Sequence, residues 1–196
     1  PPWLVAGLAL ARWTLTAHPA QAPYGRRTID DDGVPIVTQA LVADGLIASG
    51  LLATASSTQR LRAAVVRQGA IGARVATVPH LALAGGDVDE AQLIADLDDG
   101  FVVEGPARAW VDFERGGFAL MADRARAIVH GAPTGHVYFD VEVVGQLGEW
   151  LPSIRALGRA HGGFGERHGD NAPWFVSTEA PPVRCRGELR FPAVPA

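Results

Sequence analysis

Between Gly100 and Gln146 the chain is a train of short runs: FVVE, ARAWVDF, GFALM, ARAIVH and HVYFDVEVV. They are rich in Val, Phe, Tyr and Ile and are punctuated by Gly, Pro and Asp, the pattern of short strands separated by turns. Connections this short allow only antiparallel neighbours. Three of the runs fit a meander, with turns expected at Arg115-Gly116 and Ala122-Asp123. No other feature restricts the fold as much.

The remaining segments add strands and a few helices. VPIVTQALVA and LIASGLL, joined by Asp44-Gly45, read as a hairpin. Ser56 and Ser57 can cap a helix running to about Gln68, with Gly69 as its stop. Residues 71–84 are extended in character. Asp87 and Glu90 resemble a capping box for a helix ended by Gly100, although Asp96, Asp98 and Asp99 then oppose its dipole. Leu147, Trp150, Leu151, Ile154 and Leu157 form a helical stripe that Pro152 starts or kinks. HGGFGERHGDNAP, residues 161–173, reads as a polar Gly-rich loop, and PVRCRGELRF as a last strand. The apolar opening to Trp13 reads as a strand or buried segment: it lacks a basic flank for a signal peptide and is too short to span a bilayer. The expected architecture is a single α+β domain over residues 1–196, a strand-rich, mostly antiparallel sheet or barrel-like domain with a few helices.

Composition excludes several functions. The formal net charge is −4 among 196 residues, so the basic excess of a nucleic-acid binder is missing. All 17 basic residues are Arg. Without Lys, neither Schiff-base chemistry nor a P-loop is available. One cysteine, Cys185, cannot form an internal disulfide. No membrane partner is expected, and the expected location is cytoplasmic.

Few constellations carry chemistry. His161, Glu166 and His168 offer two imidazoles and a carboxylate, a zinc-compatible set without the helical HExxH spacing. A plain polar loop is the competing reading. His130 and His136 flank Gly131–Gly135 at a hairpin, but two ligands make no site. Asp30-Asp31-Asp32-Gly33 lacks calcium-loop spacing and reads as a solvated turn. Cys185, between Arg184 and Arg186, reads as a buried small hydrophobe whose arginines point the other way. The five tryptophans are too scattered for a stacking platform and are expected in cores.

The order of segments resembles the TldD/PmbA (TldD/TldE) family, once described as modulators of DNA gyrase and now regarded as peptidases. YGRRTIDDDGVPIVTQALVADGLIASGLL is similar to the family's Gly-Arg, Asp-Gly-Val-Pro and Gly-x-Leu-x-Gly-x-Leu stretch. PHLALAGGDVDEAQLIADLDDGFVVE, GGFALM with ADRARAIVHG, HVYFDVEVVGQLGEWLPSIRALGRA and PPVRCRGELRF match later family segments in order. The resemblance runs from about residue 13 to residue 191 and covers the C-terminal part of such proteins.

TldD-type members carry a zinc motif, HExxxH, upstream of this region, and a ligand Cys in a late Gly-x-Cys-Gly loop. Here GGFGERHGD puts Phe164 where that Cys would be. The resemblance therefore implies the metal-less TldE/PmbA type: no catalytic residue, no metal ligand and no cofactor in this chain, with zinc possible in a partner subunit. It implies a non-catalytic component that helps enclose and bind unfolded peptide. Its expected partners are a TldD-like subunit or a missing N-terminal half, an extended peptide, and an oligomeric assembly. The alternatives are a divergent zinc-dependent hydrolase using His161, Glu166 and His168, or a stand-alone binding or scaffold module.

Overall fold

Asp44 and Gly45 adopt φ values of 48° and 79°, the left-handed pair that a tight two-residue hairpin needs. They join β2 (Gln39–Ala43) to β3 (Leu46–Ile47) as the sequence predicts. The computed structural model describes residues 13–17, 22, 26–47, 64–67, 74–78, 80–112, 114–160, 162–168 and 174–192. The expected buried opening segment lies outside them, except that Trp13 is buried.

The chain divides into two compact units, one of Pro1–Val5, Gly86–Ala160 and Pro182–Ala196, the other of Ala6–Gly85 and His161–Pro181. The second unit holds a six-stranded sheet in the order β11-β12-β6-β1-β2-β3. It comprises β1 (Leu15–Ala17), β2, β3, β6 (His80–Leu83), β11 (Gly162–His168) and β12 (Trp174–Ala180). A separate antiparallel pair, β4 (Ala64–Arg67) and β5 (Arg74–Thr77), also lies in this part of the chain. Ala64–Arg67 overturns the helix expected through Gln68: β-branched Val65 and Val66 pair in register with Ala76 and Val75. Residues 161–173 are likewise not one loop, because Gly162–His168 is a strand paired along its whole length with β12. Aspartates 30–32 form the expected turn, with Asp30 Oδ1 accepting from the Asp32 and Val34 amides at 2.9 and 2.8 Å and Gly33 at φ 78°.

The first unit is built on three long strands, β7 (Asp99–Val111), β8 (Gly117–Val129) and β9 (Ala132–Gln146), edged by β14 (Glu188–Arg190). The turn at Gly116 forms as expected, but Ala122-Asp123 is no turn. It lies inside β8, where Ala122 and Arg124 pair with Val141 and Phe139 of β9. Ala122 and Ala125, three residues apart, pack in one buried cluster with Val141, against Leu189. Strict alternation would set them on opposite faces. It is broken along the line Gly105–Asp123–Asp140, where Gly105 and Asp140 take φ of 69° and 52°.

The helices are shorter than expected. α1 is Glu90–Ala95, with Asp89 rather than Asp87 at its N-cap and no side-chain cap bond. β7 claims the residues beyond Asp98, so Gly100 is not its stop. Asp96, unfavourable to the dipole, is met by Arg184 Nη1 at 3.1 Å. The expected stripe splits into α2 (Leu147–Trp150), a 3-10 turn at Leu151–Ser153 and β10 (Ala156–Leu157). β10 pairs with β13 (Val183–Arg184), so the expected last strand is two strands in two sheets. The architecture is strand-rich and mostly antiparallel, with open sheets rather than a barrel among the described residues.

Candidate functional site

β11 is the outer strand of the six-stranded sheet, and no described strand pairs with its free edge. Its sequence is GGFGERH, and Gly162, Gly163 and Gly165 are all exposed. The fold does not require the first two glycines. A Cβ on Gly162 would come no nearer than 3.9 Å to Ala180 O, and one on Gly163 would sit 3.7 Å from Glu179 Cγ, both ordinary contacts. Neither takes a left-handed φ. Glycine in a strand interior weakens it unless another backbone must come close. An edge strand with no side chains at these positions offers its N–H and C=O groups with little steric selection.

Behind this edge, β12 runs parallel to β6, with Ser177 opposite His80. Both are buried, at 2% and 1% exposure, and Ser177 Oγ lies 2.9 Å from His80 Nδ1. The bond ties the β11–β12 hairpin to the N-terminal strands. Sequence reasoning missed it: nothing in HLAL distinguishes His80 from a surface histidine.

The structure places the sequence-predicted residues as follows. Glu166 and His168 lie on β11, in register with Val176 and Trp174, and His161 lies outside the described residues. Phe164 is also on β11, opposite Thr178. His130 and His136 have different partners. His130, in the β8–β9 turn, has Nδ1 3.7 Å from Asp98 Oδ1, whereas the His136 amide donates to Thr134 Oγ1 at 3.3 Å. Cys185 is not on a strand but between β13 and β14. It is half-buried, and burial pushes its thiol pKa up, which suits the expected small hydrophobe. Among the described residues no three of His, Cys, Asp or Glu converge to hold a metal ion. Trp13 is buried as expected, whereas Trp110 is 61% exposed.

Residues 8–188 match the model of the PmbA/TldA metallopeptidase C-terminal domain. The chain belongs to this family. No curated protein matches the chain. Among solved structures, TldE from Thermococcus kodakarensis superposes with a TM-score of 0.71 at 19% identity, covering 93% of this chain and 40% of that one. A proposed modulator of DNA gyrase from Thermotoga maritima gives 0.62 at 17% identity, covering 95% and 41%. Another from Bacteroides thetaiotaomicron gives 0.60 at 18% identity, covering 94% and 38%. At these identities the likeness concerns the fold. The chain spans about two fifths of the length of each relative, and the family match includes the glycine-rich edge.

Proposed function

We propose that residues 1–196 act as one non-catalytic domain of a cytoplasmic TldD/TldE-type zinc metallopeptidase assembly, helping to enclose and hold unfolded peptide. The observation that carries this reading is β11: a glycine-rich outer strand with no described neighbour on its free edge. Strand addition holds extended peptide through main-chain hydrogen bonds and asks little of its side chains. Proteolysis of unfolded segments requires that tolerance. Phe164 supports the non-catalytic assignment, since it has no metal-binding atom where the resemblance expects a cysteine. The water-activating zinc would come from a TldD-like subunit, with three ligands and an open position.

The test is metal analysis of this chain alone and after mixing with a TldD-type subunit, followed by peptide hydrolysis. Zinc only in the mixture, with hydrolysis slowed by Gly163→Val in this chain, is the expected result. Stoichiometric zinc in the lone chain, lost in His161→Ala or His168→Ala, would replace the proposal with a divergent hydrolase centred on His161, Glu166 and His168. Failure of any TldD-type subunit to bind would leave the stand-alone scaffold reading.

A further inference from the structure

Glu179 stands in β12 directly opposite Gly163 of β11, so the two residues share a face of the sheet. Facing Cβ atoms in an antiparallel pair lie about 4.5–5.5 Å apart. The nearest atom that a Cβ on Gly163 would meet is Glu179 Cγ, at 3.7 Å. The Glu179 side chain therefore leans toward β11, over the place that a side chain at 163 would occupy. Glycine leaves that place open: Gly163 is exposed and Glu179 is half-buried. On its other side Glu179 lies opposite Ala82 of β6. Neither cross-strand neighbour carries a charge, and among the described residues the Glu179 carboxylate has no ion-pair or hydrogen-bond partner. A half-buried carboxylate is costlier without a cation beside it than with one, and this one faces an open edge from which a cation can come.

We infer that Glu179 selects peptides by a basic side chain, Arg or Lys, at the position opposite Gly163 on the free edge of β11. This role rests on the peptide-holding function proposed for that edge. A strand added there places its backbone two strand spacings from β12, about 10 Å. Glu179 from one side and a long cationic side chain from the other can meet across the intervening strand only where the intervening residue is bare. Gly163 is that residue, and any side chain in its place would stand between the two charges. The fold itself does not require glycine here, so the open path supplies a reason for it. Short side chains do not reach, and acidic ones meet a like charge. Selection is thus by charge and length at one position, while the main-chain ladder accepts any sequence elsewhere. Arg is favoured over Lys, because its planar fork meets both carboxylate oxygens. The formal net charge of −4 acts on a cationic peptide in the same direction.

The test uses a neutral unfolded peptide with a single Arg walked along its length, and copies with Gln or Glu in the same place. Binding to the 196-residue chain is read by fluorescence anisotropy. At low salt the best Arg peptide should bind about fivefold more tightly than its Gln copy, and the gap should close as salt rises. Glu179→Gln should bind the two alike, and Glu179→Arg should turn the preference toward the Glu copy. Glu149→Gln, at an exposed carboxylate in the other unit, should keep the preference for Arg. A preference for Arg that survives Glu179→Gln would overturn the inference. So would binding that ignores charge yet weakens in Gly163→Val, and the peptide-holding edge would then stand without Glu179. Peptides that bind with no response to Gly163→Val, or do not bind at all, would remove the edge itself and this role with it.

Discussion

Gly131 shows how much one residue can carry. It turns β8 into β9 at φ 73°, and an added Cβ would sit 2.5 Å from the Ala95 carbonyl of α1. Gly131→Ala combines left-handed strain with a backbone clash, so unfolding should become easier by about 2 kcal/mol or more, read by denaturant titration. The opposite is expected for Gly163→Val. That site has ordinary space and no left-handed φ, so stability should hold within about 0.5 kcal/mol or rise slightly. Loss of peptide handling without loss of stability would separate function from folding at this position. Ser177→Ala removes a buried hydrogen-bond partner of His80. A cost of about 1–3 kcal/mol is expected from the same titration.

At the scale of elements, the ion cluster joining β7 and β8 sets a pH response. Arg124 and Arg126 both reach Glu104 at 2.8 Å. Partial burial works to raise the Glu104 pKa, but the hydrogen bonds from Arg126 and Arg124 outweigh it and hold it below the usual 4.5. A carboxylate lowered in the folded state stabilises above its unfolded pKa, and that contribution is lost as pH falls through the folded value. Denaturation midpoints should therefore fall below about pH 4.5, and Glu104→Gln should flatten part of that fall. Exposure on the solvent side keeps the effect modest. Elsewhere in the same sheet Ile128 is 1% exposed, and Ile128→Ala should cost about 2–5 kcal/mol by the same measurement. Local chemistry decides the outcome at Asp44-Gly45, Gly116 and the aspartate turn, and there sequence and structure agree. Elsewhere strand pairing decides, and it overrides the local signal. Val65 and Val66 fall in a stretch that local spacing predicts as helix, because the partners that make it a strand, Ala76 and Val75, lie eleven and nine residues on. Ala122-Asp123 carries a turn signal locally, but β7 and β9 on either side hold it extended. The glycine-rich segment predicts a loop because glycine reports conformational freedom, which pairing with β12 removes. Of the candidate site, residue types were legible, but not their location on an outer strand or the buried His80–Ser177 tie.

At the scale of the molecule, family membership and strand-rich architecture agree with the sequence expectation. No described helix is long and apolar enough to cross a membrane. The two-unit construction also has a temporal consequence. One unit is an uninterrupted stretch but for its final strands, whereas the other is assembled from segments on either side of it. β6 meets β12 only after nearly a hundred intervening residues, the separation of the His80–Ser177 bond being 97. During synthesis β6 must wait, one edge unsatisfied, until the ribosome has released the β11–β12 hairpin. Contacts so distant form slowly, and strands left open while they wait are prone to wrong associations. The nascent chain should thus need protection longest in the six-stranded sheet, with the stretch from Gly86 to Ala160 settling first.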